Sequence, residues 1–456
     1  MAMQEPSVTH LLEIIDQQNK IIASLQKEIV ILKARISELE RKKNSGNSNL
    51  PPSSDMGSPK RNESLREKSG RKSGGQAGHE GSTLKMSSTP DKIEYHTPSK
   101  CEGCGHDLSL INAELEECRQ VVDVPPIMPT TTEHRTFSKR CACGCVSVGK
   151  FPDNVNGNVQ YGTNLTARIA YLNVRQYMPY NRIKEFLFHF AGLSISEGSI
   201  YNMLQEFARK CTPQYESIKM DIENSSNAGT DETGAKVNGK KYWFWAWQNN
   251  ASTYIVASSS RGFQTIQNTF PQGLPKVILS HDRWAAHFQC KAKNHQICIA
   301  HLQRELNYIG ELYQHKWSTS FKECLSDALK LQNKLLILND FDSLKEQKRK
   351  IEKRLDELLK AKLPEKLSKA KTLQKKLSSI RNHILVFLYY KDVPADNNAS
   401  ERAIRNIKVK EKVSGQFRTF EGAQAFAVIR SVIDTTIKRG TSCFDALFAI
   451  ANLEAE

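Results

Sequence analysis

The chain has 456 residues, enough for roughly two to four domains that each bury a core. Basic residues exceed acidic ones by a formal net charge of +16, which favours a polyanionic partner. Nucleic acid is the first expectation and an anionic membrane surface the second. The sequence shows no signal-peptide pattern and no long apolar run, so we expect a soluble, cytoplasmic protein.

Apolar residues recur at spacings of three and four between residues 8 and 43. This pattern predicts a coiled coil within residues 1–45 that joins two copies of the chain as a homo-oligomer. The alternative is an amphipathic helix that packs on the chain's own core. The apolar positions are Leu11, Ile15, Ile22, Leu25, Ile29, Leu32, Ile36 and Leu39.

Residues 46–90 are rich in Ser, Gly, Pro, Asn and basic residues, with little apolar surface to bury. They predict a flexible basic linker. Its basic side chains either contact DNA phosphates without sequence preference or only keep the linker solvated. The basic residues in question are Lys60, Arg61, Arg66, Lys68, Arg71 and Lys72.

Close-spaced cysteines mark residues 91–150. Cys101 and Cys104 form a CxxC pair, and Cys141, Cys143 and Cys145 follow after strand-like segments. Four thiolates from two such groups can surround zinc tetrahedrally. We therefore predict a structural Zn²⁺ domain with Cys101, Cys104, Cys141 and Cys143 as ligands, and Cys145 as the alternative to Cys143.

The glycines beside these cysteines support the zinc interpretation. Gly105 and Gly144 supply the tight turns that zinc knuckles need. His106 is a weaker substitute ligand. The alternative, free buried cysteines in a reducing cell, is less favoured.

Residues 155–220 have helical periodicity, with a break at Gly192 and a polar stretch at 196–199 before a second amphipathic run. This predicts a helix-turn-helix-like region that contacts DNA. A helical packing layer without base contacts is an equally ordinary interpretation.

Five strand-like runs follow, separated by Gly, Asn and Pro, and predict a mixed sheet. Helical periodicity replaces them over residues 303–381, with a break at Pro364. We therefore expect an α/β core from residues 221–302 and 382–440, a helical insertion between these segments, and a C-terminal helix over 441–456. The five runs are SNAGTDETGAKV, KYWFWAWQN, STYIVASSS, PKVILSHD and HQICIAHL.

Three acidic residues stand where chemistry is expected. Asp231 is placed at the end of the first strand, and Asp282 closes a buried strand. Side chains at the ends of neighbouring strands face one crevice. Glu401 follows a run of helix-capping residues, so it lies in the first turns of a helix that can bring it over the sheet.

Carboxylates from separate elements suit Mg²⁺ or Mn²⁺, which prefer oxygen ligands and retain water. Two such ions would activate a nucleophile and stabilise the leaving oxygen on a phosphodiester. Basic residues around Glu401 would hold the DNA backbone; their alternative role is a solvated helix face. They are Arg402, Arg405, Lys408, Lys410, Lys412 and Arg418.

The chain resembles the DDE transposases of the insertion sequence 66 type over nearly its whole length. The resemblance depends on PPSSD and GGQAGHEGSTL in the linker, the cysteine pairs, DETGAKVNGKKYWFWAW, HDRWAAH, and the Cys298–His301 segment. Its most specific part is DNNASERAIRNIKVKEK, with FEGA after it.

This resemblance implies an RNase H-like mixed-sheet catalytic core with a helical insertion, in which Asp231, Asp282 and Glu401 match the acidic triad. It also implies terminal inverted repeats and target DNA as substrates, companion proteins from the same element, and a bacterial, nucleoid-associated protein. His301 and Arg304 fall where the family has a basic, polar segment after the fifth strand, and we expect contacts to DNA or to the active site. The alternative roles are a helix N-cap and core packing.

Two other functions remain open from the sequence. A non-catalytic DNA-binding regulator would need the coiled coil, the cysteines and the helical region, but not acids on separate elements of a sheet. A metal-dependent nuclease would share the metal ions and differ in strand transfer.

Overall fold

A computed structural model describes residues 8–40, 78 and 84–453. The six linker residues predicted to contact phosphates, from Lys60 to Lys72, lie outside the described residues. In the part of the chain that the structure describes, no helix is long and apolar enough to cross a membrane.

The N-terminal segment forms one 33-residue helix, α1, over Val8–Glu40. Its apolar side chains are exposed along the predicted seam, including Leu11, Ile22, Leu25 and Ile29. The helix covers the residues that the apolar periodicity predicts to be helical. Its pairing with a second copy stays a prediction.

Residues 84–160 contain little regular structure. One antiparallel hairpin joins β1, Ser138–Arg140, to β2, Val146–Val148. The turn between these strands carries Cys141, Cys143 and Cys145, so a strand pair positions the second group of cysteines.

A helical layer precedes the sheet. Gly192 ends the second full helix in a left-handed conformation, with φ 62°, and the Ser196 side chain accepts from the Ser199 N–H at the start of the next helix. The predicted helix-turn-helix shape is present, whereas DNA contact is not tested by it. The helices are α2 Thr163–Ala170, a π-helical turn Tyr171–Arg175, α3 Tyr180–Ala191, α4 Glu197–Lys210 and α5 Thr212–Glu223.

The central sheet has five strands in the order β5-β4-β3-β6-β7. The first four predicted runs are strands along most of their length, whereas the fifth is strand only over His295–Ile297 and helical from Ile299. The first three along the chain pair antiparallel, and β6 and β7 then add parallel to β3. The prediction of a mixed sheet is confirmed. The strands are β3 Asn227–Val237, β4 Lys240–Gln248, β5 Thr253–Ser258, β6 Leu274–His281 and β7 Ala292–Ile297.

Helices cover the sheet and bury its aromatic residues, of which Phe244, Trp245 and Trp247 are fully enclosed. The long C-terminal helices lie against β3, β4 and β5. Burial of such large apolar side chains is the main stabilising contribution of this layer. The helices are α6 Phe263–Thr269, α7 Ala285–Phe288, α12 Asn398–Ser414, α13 Phe420–Lys438 and α14 Cys443–Ala451.

The predicted insertion is helical, and its core around Phe321 and Leu335 is continuous with Ile278 of β6 and Ile297 of β7. Pro364 lies between two of its helices, as the sequence predicts. The first helix begins at Ile299, directly after β7, and therefore includes His301. The helices are α8 Ile299–Tyr313, α9 Lys316–Leu338, α10 Lys345–Lys360 and α11 Ser368–Ser379, followed by 3₁₀ turns Arg381–His383 and Val386–Leu388.

Candidate active site

Strand register brings the two predicted aspartates together. Gly229 of β3 pairs with Ser280 of β6 in parallel, and Asp231 and Asp282 each follow two residues after this last pair. The charge of Asp282 reaches Asp231 and raises its pKa. Neighbouring strands lie about 4.8 Å apart, so the two carboxyl groups start from adjacent backbones. Asp282 directly follows the last residue of β6.

The position of Asp231 within its strand differs from the prediction. Asp231 lies in the middle of β3, which continues to Val237, rather than at its end. The reason is that β3 extends as a hairpin with β4 after its pairing with β6 has stopped at Gly229. Asp231 is therefore at the end of the parallel pairing and not of the strand.

Asp231 is almost completely buried. Burial, together with the charge of Asp282 and then of Glu232, raises the pKa of Asp231 well above its ordinary value, and Glu401 adds to the rise. The Glu232 backbone N–H donates to Asp231 Oδ1 at 2.9 Å, and this hydrogen bond lowers the pKa of Asp231. Such concentration of negative charge is unfavourable without a cation and is typical of a functional site.

Glu401 reaches this site from the first turn of α12, as its capping sequence predicts. His301 Nε2 lies 3.5 Å and Arg304 Nη1 3.9 Å from Glu401 Oε1, both from α8. These distances exceed a normal hydrogen bond. Among the described residues, no donor makes a hydrogen bond to this buried oxygen.

A buried clasp, formed by Gly229, Gln248, Asn397 and Ser400, fixes the start of α12 on β3. The Asn397 side chain donates to the Thr230 carbonyl at 2.7 Å, and the Ser400 hydroxyl donates to Asn397 Oδ1 at 2.6 Å. The Gln248 amide donates to the Ser400 hydroxyl at 3.3 Å.

Gly229 is required for this clasp because of space. A Cβ there would lie 2.5 Å from Ser400 Oγ and 2.6 Å from Asn397 Oδ1. Only glycine allows helix and strand to approach so closely. The clasp therefore fixes how closely the start of α12, and with it Glu401, approaches β3 and Asp231.

Sequence reasoning missed a second polar cluster beside Asp282. Glu232 is buried, accepts from Arg261 Nε at 2.9 Å and lies 3.1 Å from His287 Nε2. His287 Nε2 also lies 3.9 Å from Asp282 Oδ1. Burial raises the pKa of Glu232, but His287 and Arg261 outweigh it and lower the pKa overall. The signal in the sequence was Glu232 directly after Asp231, within DET.

The residue types at the site are those that bind a divalent cation. The charges of Asp282 and Glu401 both raise the pKa of the buried Asp231, and one oxygen of Glu401 is buried without a hydrogen bond from the described residues. In the side-chain positions of residues 8–40, 78 and 84–453, no group of three His, Cys, Asp or Glu residues is arranged to hold a metal ion. Asp282 Oδ1 instead accepts from the Trp284 N–H at 3.0 Å.

The basic residues predicted to bind DNA divide into two groups. Arg402, Arg405 and Lys412 are exposed along α12. Lys408 donates to the Gly234 carbonyl and to Glu411, which leaves its ammonium group only partly available. Arg418 is exposed and lies 3.6 Å from Glu197.

The prediction for Lys410 needs correction. Its side chain is buried, and its ammonium group donates to the carbonyls of Asn173 and Met178 at 3.2 and 3.3 Å. Burial lowers the pKa of Lys410 to about 7. It holds the end of the π-helical turn against α12 and cannot reach a phosphate.

Both cysteine groups form tight turns. Gly105 and Gly144 have φ of +72° and +92°, and their N–H groups donate to the carbonyls of Cys101 and Cys141. Backbone N–H groups lower the pKa of Cys101 and of Cys143. The alternative of buried cysteines is wrong here, because Cys101 is half-buried and the other thiols are exposed. Among the described residues, the two groups do not come together as a joint metal site.

The fold and site together define an α/β protein with an acidic site between a mixed sheet and a helix. A family model described as Transposase IS66 family matches residues 158–425, more than half of the chain. The chain belongs to this family, which makes it an enzyme of DNA transposition. A second model, described as Family of unknown function (DUF6444), matches residues 3–85. No curated protein matches the chain.

Proposed function

We propose that the protein is a DDE transposase that cleaves and transfers DNA strands at the ends of an insertion sequence. The observation that carries this proposal is that the charges of Asp282, directly after β6, and of Glu401, at the start of α12, both raise the pKa of the buried Asp231 on β3. The strand order, with three antiparallel strands followed by two parallel ones, supports an RNase H-like core.

Asp231, Asp282 and Glu401 would hold two Mg²⁺ or Mn²⁺ ions. When bound, such ions activate the attacking oxygen and stabilise the leaving oxygen of an in-line displacement. The protein contributes fixed carboxylates, because the clasp holds Glu401 and β6 holds Asp282. His301 and Arg304, at 3.5 and 3.9 Å from Glu401, would orient its carboxylate and contact the DNA backbone.

The exposed basic face of α12 would bind the DNA backbone. Arg402, Arg405 and Lys412 recur at helical spacing, so they extend the positive surface away from Glu401 over about 15 Å at 1.5 Å per residue. Phosphate contacts position DNA without reading its sequence. The helix-turn-helix-like region is our candidate for contacts to the terminal inverted repeats.

We propose self-association and zinc binding for the N-terminal half. The exposed apolar seam of α1 fits a second copy of this helix. The two cysteine turns fit Zn²⁺ because their thiolates are stabilised by backbone N–H groups. Cys101, Cys104, Cys141 and either Cys143 or Cys145 would be the ligands.

The test is Mg²⁺-dependent cleavage and joining of a labelled element-end duplex by the full chain. Glu401→Gln keeps the shape of the side chain and removes its charge. Glu421→Gln is a matched control, because Glu421 is the exposed first-turn glutamate of α13. We expect cleavage and joining to be lost in Glu401→Gln alone, with DNA binding retained.

Other outcomes separate the alternatives. Cleavage without joining by the wild-type protein would indicate a nuclease. Binding without cleavage, both alone and with the companion proteins of the same element, would indicate a regulator. Cleavage that persists in Glu401→Gln would remove Glu401 from the site.

A further inference from the structure

Cationic and aromatic side chains alternate in a column beside Asp282. Lys241 Nζ lies 4.6 Å from the centre of the Trp243 ring, and the Arg261 guanidinium lies 4.8 Å from the same ring. Arg261 also lies 4.1 Å from the centre of the Trp284 ring. We call Lys241, Trp243, Arg261 and Trp284 the stacked column.

Two members of the column, Trp284 and Arg261, are hydrogen-bonded to acidic residues of the site. The Trp284 backbone N–H donates to Asp282 Oδ1 at 3.0 Å, and its indole N–H donates to the Arg261 carbonyl at 3.3 Å. Arg261 Nε donates to the buried Glu232 at 2.9 Å. These hydrogen bonds therefore fix the position of Trp284 next to Asp282, a proposed metal ligand.

The outer part of the column faces solvent. Trp284 is 39% exposed, although tryptophan is usually largely buried. Lys241 is exposed, and Arg261 is half-buried. Core packing does not explain a tryptophan that stacks on a cation at the surface.

The chemistry of this surface fits an unpaired nucleotide. Flat aromatic rings stack on nucleobases of any sequence, and adjacent cations neutralise the phosphates between them. In a duplex, neighbouring base pairs already cover the faces of each base. A base within a duplex therefore has no free face for Trp284, whereas an unpaired base does.

The depth of the acidic site gives a reason for strand separation. The carboxyl group of Asp231 is recessed, with 9% of the residue exposed. A strand that lifts away from its complement can enter this recess more easily than a stiff duplex. The base beside the reacting phosphate would then lack a stacking partner at the position where Trp284 lies.

We propose that the stacked column binds unpaired, single-stranded DNA beside the reacting phosphate, with Trp284 as the stacking surface. This inference rests on the proposed function for the identity of the nucleic acid. Trp284 is a substrate-binding residue in this proposal, and Arg261 orients it.

The test compares fluorescence anisotropy of a labelled single-stranded 20-mer with that of its duplex, without Mg²⁺. For the full chain, Trp284→Ala should weaken single-strand binding by roughly 5-fold or more and duplex binding by less than about 2-fold. Trp284→Phe should retain most of the affinity, because it keeps an aromatic face. Equal losses on both DNAs, or no loss, would overturn the proposal.

Tyr389→Ala is the matched control. Tyr389 is 44% exposed and has Lys348 over its ring at 4.9 Å, but it lies with the helical segment and outside the stacked column. It should bind both DNAs like the wild-type protein. A single-strand loss as large as that of Trp284→Ala would contradict a specific role for the column.

Photo-crosslinking gives a second readout, which a merely structural role would not change. A single strand with 5-iodouracil should crosslink to the peptide containing Trp284, and unlabelled single strand should compete better than duplex. Absence of this crosslink would overturn the stacking role.

The two proposals can fail separately. If the protein prefers single strands through Trp284 but does not cleave DNA, the proposal for the stacked column stands and the proposed transposase chemistry is contradicted. If the protein cleaves DNA normally and Trp284→Ala does not change single-strand binding, the proposed function stands and the proposal for the stacked column is contradicted.

Discussion

The acidic site and the cysteine segment assemble their polar groups in different ways. Asp231, Asp282 and Glu401 are brought together by strand register and by a buried clasp between α12 and β3. The cysteines form only local turns, with their thiols at the surface. Tertiary packing holds like charges together before any ligand binds, whereas short turns need a ligand to join them.

The largest expected effect is that of Asp231→Asn, which tests whether the clustered acids destabilise the folded protein. Asp231→Asn should reduce strand cleavage by ~10³-fold or more, because an amide loses the charge that holds cations. The same change should raise the melting temperature in metal-free buffer, since burial and Asp282 raise the pKa of Asp231. Scanning calorimetry without metal checks this, and a lower melting temperature would contradict it.

The clasp gives the next largest effect. Gly229→Ala places a Cβ 2.5 Å from Ser400 Oγ, so α12 must shift. We expect a loss of about 1–3 kcal/mol in the free energy of unfolding, and a larger fall in cleavage than in DNA binding.

Gly198→Ala is the control for Gly229→Ala. Gly198 is exposed in the first turn of α4, and a Cβ there comes no closer than 3.7 Å to another side chain. It should be neutral or stabilising by about 0.5–1 kcal/mol, because alanine favours a helix. Equal destabilisation by both substitutions, measured by chemical unfolding, would remove the special role of Gly229.

The cysteine segment should respond to metal and leave the core unchanged. Cys104→Ser should abolish zinc binding, whereas Cys118→Ser should not, because Cys118 belongs to neither turn. Protease cleavage within residues 84–160 should increase in Cys104→Ser without a change in the melting temperature of the core. Separate serine variants of Cys143 and Cys145 decide which of the two binds zinc.

Zinc content is measured after purification without added metal. Full zinc content in Cys104→Ser would contradict the ligand assignment. A core melting transition that falls together with the zinc content would contradict the independence of the two regions.

A smaller effect on DNA affinity is expected from basic residues on the exposed and the buried side of α12. Arg405 is exposed and Lys410 is buried. Arg405→Ala should reduce the slope of log affinity against log salt by about 1, as expected for one lost phosphate contact. Lys410→Met should leave this slope unchanged. A salt slope reduced equally by both would restore Lys410 as a DNA contact.

The smallest effect concerns the pH dependence of stability. Burial lowers the pKa of Lys410 to about 7, while an unfolded chain keeps a lysine pKa of about 10.4. Between these values the unfolded state binds the extra proton, so stability should rise as pH increases from 7 to 10. Below pH 7 the full destabilisation remains.

Lys410→Met removes this titration. The free energy of unfolding of the wild-type protein relative to the variant should therefore increase by about 1 kcal/mol or more between pH 7 and pH 10. Urea unfolding at several pH values checks this. Lys438, whose pKa is lowered to about 8, is present in both proteins and cancels in the difference. A constant difference would contradict the burial effect.

Much of the fold could be predicted because its signals are local. The five strand runs, the break at Gly192 and the first-turn position of Glu401 follow from periodicity and capping. These signals lie within about ten residues of the chain and survive in any tertiary context. The family motifs added the order in which the three acids should meet.

The errors arose where distant segments decide the environment. Asp231 lies in mid-strand because β4 continues to pair with β3, and Lys410 is buried because the π-helical turn packs on α12. A lysine in a basic run looks solvent-exposed until a separate segment covers it. Arg261 and His287 were missed as partners of Glu232, because 29 and 55 residues separate them along the chain.

Local sequence signals were enough to predict most of the helices and strands and the turns at the cysteines. Tertiary structure alone decided that the acids meet, that Glu401 is clasped through Gly229, and that Trp284 stacks on Arg261 beside Asp282. The physical reason is range. Propensities and caps act within a few residues, whereas burial, charge repulsion and stacking depend on neighbours supplied by remote parts of the chain.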